Sequence, residues 1–237
     1  MIVFDGRGIL LDVEGTTSSI SFVYDVLFEF ARRHVARFLQ THREDPVVQQ
    51  AAAALAIETG AADATLTDAA GTTRLALAAI DLMNRDVKST PLKSLQGMIW
   101  RSGFESGELV SHVFDDVPPA LERWADSGID VRIYSSGSIE AQKLFFAHTA
   151  SGDLTPHLRG HYDTTTGPKR ETGSYRAIAA DRGVEPRQIL CISDVGEDLD
   201  AARQAGMATA LAIRPGNRPA GGRLEHEPLE SFAEVVT

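Results

Sequence analysis

The stretch Ile9-Leu10-Leu11-Asp12-Val13-Glu14-Gly15-Thr16-Thr17 constrains the fold more than any other part of the chain. A short apolar run ends in an acid, a second acid comes two residues on, and Gly-Thr-Thr is expected to open a helix. An unbroken apolar run needs cover on both faces, which a central strand of a parallel sheet receives from flanking helices. The pattern predicts a buried strand presenting Asp12 at the carboxyl edge of an α/β sheet, where such folds bind ligands. Taken alone, Asp12 serves equally well as a turn former or helix cap.

Beyond Thr17 the chain turns helical. Val23, Val26, Leu27, Phe30, Val35 and Phe38 recur at helical spacing over 21–40. His34 and His42 lie on or just after this helix and read as packed or surface side chains, because no carboxylate or thiolate accompanies them at ligand spacing. Residues 45–85 are alanine-rich and helical in propensity, with breaks near Gly60 and Gly71. Pro91 precedes a helix over 92–104, with Leu95, Ile99 and Trp100 on one face; Trp100 there packs a helical core or walls a pocket.

From about residue 115 the pattern alternates. Pro118-Pro119 start a helix, and a strand over 129–134 ends in Ser135-Ser136-Gly137-Ser138. A helix over 139–148 and an extended piece near His161 lead to Gly167-Pro168-Lys169 and a helix over 174–182. A strand over 189–192 ends in Ser193-Asp194, a helix covers 198–206, and 208–213 is the last clear strand before a polar loop over 214–223. Such alternation implies a parallel sheet with right-handed crossovers. The expected organisation is an α/β core of 1–19 and 111–237, interrupted by an all-helical insertion over 20–110.

Charge and composition narrow the partners. The 237-residue chain carries 33 acids against 23 Lys and Arg, a formal net charge of −10. That mean field disfavours nucleic acid and anionic membranes while leaving room for a small phosphorylated substrate. Cys191, the single cysteine, forms neither an internal disulfide nor a multi-thiolate zinc site, and its apolar surroundings mark it as a buried small hydrophobe. Asp5 and Arg7 break the opening apolar stretch too early for a signal peptide, and no stretch approaches the ~18 apolar residues of a membrane span. A cytoplasmic protein is expected by default, and a monomer, since neither a heptad seam nor a long apolar edge is visible.

Three strand ends thus carry polar chemistry: Asp12 with Glu14, Ser135 with Ser136, and Ser193 with Asp194. A fourth loop supplies Lys169. Parallel strands end on one side, so these groups can converge. Two carboxylates and a backbone carbonyl make a hard oxygen site suited to Mg²⁺, with water and a substrate phosphate completing the octahedron. A strand-end Ser followed by Gly can hold a phosphate oxygen. Lys169 by itself would be a solvated surface lysine; in this company it can neutralise phosphate. Glu197 and Asp200, like Asp115 and Asp116, read as acids at helix starts.

In this order, Asp12-Val13-Glu14-Gly15-Thr16, Ser135, Lys169 and Asp194 resemble the four loop motifs of the haloacid dehalogenase-like superfamily. The resemblance is closer to the enolase-phosphatase family of methionine salvage. Leu11-Asp12-Val13-Glu14-Gly15-Thr16-Thr17, Leu95-Gln96-Gly97-Met98-Ile99-Trp100, the block from Tyr134 to Lys143, and Arg214-Pro215-Gly216-Asn217 all carry it. Most superfamily phosphatases have Asp where this chain has Glu14. The resemblance implies a Rossmann-like parallel sheet with a helical cap that closes over the site and excludes water. It also implies enolisation of 2,3-diketo-5-methylthiopentyl-1-phosphate, then hydrolysis to 1,2-dihydroxy-3-keto-5-methylthiopentene and phosphate. Asp12 would be nucleophile and metal ligand, and Glu14 metal-associated and a candidate acid/base. Ser135 and Ser136 would bind substrate, Lys169 its phosphate, and Asp194 would complete a site for one Mg²⁺ per subunit. Asp198 stands where relatives usually carry Glu, which bears on a contact to Lys169 or Asp194. A generic sugar phosphatase would more commonly have Asp at position 14. A dehalogenase needs neither metal nor that second acid, and a non-catalytic binding module would be expected to have lost Asp12, Lys169 or Asp194.

Overall fold

The computed structural model describes residues 1–217 and 225–237. In chain order the elements are β1 (Ile2–Val3), β2 (Gly8–Leu11), a π-helical segment Phe22–Phe28, α1 (Glu29–Thr41), α2 (Pro46–Glu58), α3 (Ala69–Asn84), α4 (Thr90–Glu105) and α5 (Val117–Asp126). Then come β3 (Asp130–Tyr134), α6 (Ile139–Ala147), β4 (Gly160–Tyr162), α7 (Thr172–Arg182), β5 (Ile189–Ser193), α8 (Gly196–Gln204), β6 (Ala208–Ala212), β7 (Glu227–Leu229) and β8 (Val235–Val236). The chain divides into two compact units, Met1–Phe22 with Val110–Thr237, and Val23–Leu109.

In the first unit six strands lie in the order β4-β3-β2-β5-β6-β7, every pair parallel. β2 occupies the centre because all four of its residues are buried, so it must be flanked on both edges and both faces. Its register sets Leu11 beside Ile133 of β3 and Ile192 of β5. Asp12 therefore leaves the sheet level with Tyr134 and Ser193. On one face Leu10, Tyr134, Tyr175, Ile178, Cys191 and Leu199 share a core, which confirms Cys191 as a buried packing residue. A separate two-stranded ribbon pairs β1 with β8. β1, β7 and β8 are two or three residues long, too short for any periodicity to announce them. The expected polar loop over 214–223 is described as far as Asn217; beyond that it lies outside the described residues.

Two local expectations fail. Gly-Thr-Thr does not open a helix. The amides of Thr16, Thr17 and Ser18 all donate to the Val13 carbonyl at 3.3, 3.0 and 2.9 Å, which winds the segment into a turn instead. Gly15 sits in that turn at φ 71°, a left-handed backbone that favours glycine.

The second failure lies in the Val23–Leu109 unit. α1 to α4 pack a shared core of Val35, Leu39, Leu55, Leu75, Leu95 and Ile99, with Ala51, Ala52, Ala76 and Ala79 between them. His34 and His42 stack on Phe30 and Phe38 of the same helix as packed side chains. Trp100 donates its indole N–H to the Leu27 carbonyl at 2.8 Å and packs against the same core. The chain breaks after Gly60, but Gly71 lies inside the first turn of α3, whose N-cap Asp68 accepts the Gly71 amide at 2.8 Å. Glycine is required there for space: a Cβ would stand 2.2 Å from the Thr65 carbonyl oxygen. Among the described residues no helix is long and apolar enough to cross a membrane.

Because that clash is with backbone, Gly71→Ala is expected to destabilise the helical unit by about 1–3 kcal/mol, although alanine is the better helix former by about 1 kcal/mol. Chemical denaturation of the full chain measures the sign; a stabilised variant would show that the Thr65 loop yields.

Candidate active site

Asp12 is 7% exposed and every oxygen of its carboxylate is engaged. Oδ1 accepts the Val13 amide at 2.7 Å, while Oδ2 accepts the Ser193 hydroxyl at 2.9 Å and faces the Lys169 ammonium at 2.6 Å. Thr17 anchors the same turn by donating its hydroxyl to the Asp12 carbonyl at 3.2 Å. An acid tied to a lysine from a distant loop does not act as a cap, so the strand-end alternative is the one realised.

Lys169 bridges two acids. Its ammonium stands 2.9 Å from Asp198 Oδ2 as well as against Asp12. Burial pulls the lysine pKa down, but the two carboxylates outweigh it and hold the group above its ordinary value, so it stays charged. Asp198 reaches Lys169 directly. Burial raises its pKa and Lys169 opposes the rise.

Lys169 is aimed by its own loop. Tyr134 donates its hydroxyl to the Gly167 carbonyl at 2.8 Å, and Ser174 donates to the Pro168 carbonyl at 2.7 Å. The Tyr134 ring lies with its centroid 5.9 Å from the ammonium, and Tyr175 meets that ring edge-on at 5.5 Å. The sequence marks Ser193 as a polar strand end without giving it a partner, and gives Tyr134 no part in the site. The usable signal was register: each is the neighbour of Asp12 on an adjacent strand.

Among the described residues Asp194 forms no ion pair. Its Oδ1 is buried without a hydrogen-bond partner, and the Gly15 backbone presses so close that a Cβ there would lie 2.3 Å from Oδ2. Burial pushes its pKa up to about 7, with the Asp12 charge adding, Lys169 opposing and Glu14 adding further. One ammonium thus pairs with Asp12 and Asp198, while Asp194 feels it only at longer range. An orphaned carboxylate oxygen beside a second acid fits a hard divalent cation, which would supply the missing positive charge. Among the described residues no three His, Cys, Asp or Glu side chains cluster as metal ligands.

Ser135 ends β3, one strand over from Asp12, and is 5% exposed; its hydroxyl accepts the Gly137 amide at 3.2 Å and shapes the turn. Ser136 is the exposed residue of that turn. Gln142 braces it from behind, donating to the carbonyls of Gly137 at 2.7 Å and Tyr162 at 2.9 Å. His161 Nδ1 lies 3.2 Å from Gln142 Oε1. Glu197 is an exposed acid in the first turn of α8, and Asp200 pairs with Arg203. Asp116 departs from its expected role. It makes no capping bond to α5; its carboxylate instead takes Arg214 Nη1 at 3.0 Å on both oxygens, because a buried guanidinium demands a counter-ion.

The haloacid dehalogenase-like hydrolase family model matches residues 2–206. The chain is 46% identical to "Enolase-phosphatase E1" of Sorangium cellulosum over all 237 residues, the whole of both chains. It is 50% identical to "Enolase-phosphatase E1" of Synechococcus elongatus over 214 residues, 88% of this chain and 89% of that one. Among solved structures it resembles the UTR4 protein of Saccharomyces cerevisiae, with a TM-score of 0.82 and 33% identity, covering 97% of this chain and 100% of that chain.

His161 offers a pH test of the brace behind Ser135. Burial, with the Lys143 charge adding, lowers its pKa from 6.5 to about 4, so the folded ring is neutral. Between those values the unfolded chain binds the extra proton, so stability falls as pH drops through that window. With the ring partly exposed and solvent screening it, the expected loss is about 2 kcal/mol between pH 6.5 and 4. Denaturation curves across that range should flatten in His161→Gln.

Proposed function

The chain belongs to the enolase-phosphatase family of haloacid dehalogenase-like hydrolases, and we propose that its strand-end site carries both steps of that chemistry. The overall reaction is conversion of 2,3-diketo-5-methylthiopentyl-1-phosphate to 1,2-dihydroxy-3-keto-5-methylthiopentene and phosphate in methionine salvage. The observation that carries the assignment of roles is the Lys169 ammonium held between Asp12 and Asp198.

Once the diketone is enolised, Asp12 attacks phosphorus as the bond from phosphorus to the enol oxygen breaks, which releases the enediol and leaves an aspartyl-phosphate that water hydrolyses to phosphate and the free carboxylate. Lys169 contacts the phosphate, and Ser135 and Ser136 bind it through hydroxyl and amide groups at the end of β3. Mg²⁺, one per subunit, would be held by the carboxylates of Asp12 and Asp194 and the main-chain carbonyl of Glu14. Its chemistry is to screen the repulsion between an anionic nucleophile and an anionic phosphate. With the main chain of Glu14 committed to the metal, its side chain is the group that moves the proton during enolisation, and its extra methylene over Asp gives it reach. The helical unit is the cap of this family, and the enzyme is a cytoplasmic monomer whose net charge of −10 disfavours nucleic acid and anionic membranes.

Following phosphate and enediol absorbance together tests the assignment. Asp12→Asn is expected to abolish phosphate release; release of phosphate with no enediol from the wild type would leave a plain phosphatase. Glu14→Asp is expected to slow enol formation by about 10²-fold. If both steps run unchanged in that variant, the length of Glu14 has no part in proton transfer.

A further inference from the structure

Arg214-Pro215-Gly216-Asn217 follows β6 after Ile213 and holds none of the groups proposed to react with the substrate. Its side chains turn back onto the loop after β2. Asn217 Nδ2 donates to the Gly15 carbonyl at 2.8 Å and to the Ala212 carbonyl at 3.3 Å. Arg214 Nε donates to the Thr16 carbonyl at 3.0 Å, and the Phe114 amide donates to the Thr17 carbonyl at 3.0 Å. Three successive carbonyls are therefore each held by a donor from outside the loop.

The donors are themselves immobilised. The Arg214 guanidinium is sandwiched between the rings of Phe114 and Phe232, 4.6 Å from each centroid, with Asp116 and the Glu230 carbonyl on Nη1. Asn217 Oδ1 is buried with no hydrogen-bond partner, so the hydrogen bonding of this amide goes into the two carbonyls. On the other side of the loop the Gly15 amide donates to the Ser18 carbonyl at 2.8 Å. Because a trans peptide is planar with N–H and C=O opposed, that bond turns the Glu14 carbonyl away from Ser18. Gly15 also lies against the Asp194 carboxylate, and its Cα joins the Gly15–Thr16 peptide that Asn217 holds to the Glu14–Gly15 peptide, so freeing the first lets Gly15 turn and the Glu14 carbonyl shift relative to Asp194.

We propose that Asn217, supported by Arg214, is a positioning residue that sets the Glu14 main-chain carbonyl relative to Asp194 and thereby tunes the affinity of the site for Mg²⁺. The proposal rests on the assignment of Mg²⁺ to Asp12, Asp194 and the Glu14 carbonyl. Asn217 acts through the Gly15 peptide and touches neither substrate nor metal. Partners that orient metal ligands in this way typically contribute 10–100-fold to affinity.

The test is thermal melting of the full chain against MgCl₂ concentration without substrate, for wild type and Asn217→Ala. The variant is expected to raise the Mg²⁺ half-saturation about tenfold, with the metal-free Tm within about 2 °C of wild type. At saturating Mg²⁺, kcat is expected to fall while KM for the phosphorylated substrate holds. An unchanged half-saturation overturns the proposal, and a lower metal-free Tm with unchanged half-saturation does the same by assigning Asn217 a purely structural role. A wild type showing no Mg²⁺ shift removes the metal assignment and this proposal with it. A wild type that shifts, with Asn217→Ala matching it, overturns the proposal alone.

Discussion

The site depends on one ammonium. Lys169 holds the carboxylates of Asp12 and Asp198 within 2.6 and 2.9 Å, largely out of water. Neither acid would tolerate burial as an anion without it, and removing one partner of such a buried set generally costs about 3–5 kcal/mol by stranding charge. The arrangement is therefore under structural constraint as well as chemical. Lys169 is kept charged by its neighbours, Asp12 is held in place at the strand end, and Asp194 is left with an unsatisfied oxygen. That imbalance of charge fits a further cation.

The fold delivers these groups by register. With β2 between β3 and β5, the residues just beyond Leu11, Ile133 and Ile192 emerge side by side. Asp12 and Ser193 then meet although 181 residues separate them in sequence. The loop beyond Asp12 needs separate control, because a turn wound around one carbonyl has no ladder to fix it. Fixing comes from the segment after β6, through Arg214 and Asn217, and from Phe114 just before α5. Arg214 thereby ties the Glu14 loop to Asp116 and to the chain near Phe232, so distant parts of the same unit bear on three successive peptides of one turn.

Much of this was legible in the residues. The apolar run before Asp12 announced a central strand because no other environment covers both faces of such a segment. The alternation after residue 115 announced a parallel sheet, and Asp12, Ser135 and Asp194 marked its polar carboxyl edge, where Lys169 meets Asp12. What misled was local chemistry read without tertiary partners. Gly71 looks like a helix breaker until Thr65 is seen against its Cα; Asp116 looks like a helix-start acid until Arg214 claims it. β1, β7 and β8 left no trace because two- and three-residue strands carry no period.

Sequence by itself determined the membership of the chain, the central strand and the identity of the chemical groups, since these depend on hydrophobic pattern and residue type. Tertiary structure alone decided which charges pair. Lys169 took Asp12 and Asp198 and left Asp194 unpaired, a choice set by where the Gly167–Lys169 loop is tethered by Tyr134 and Ser174. It also decided that Glu14 stands on a turn held by Asn217. Charge pairing falls off within a few ångströms, and only the folded chain brings residues so far apart in sequence within that range.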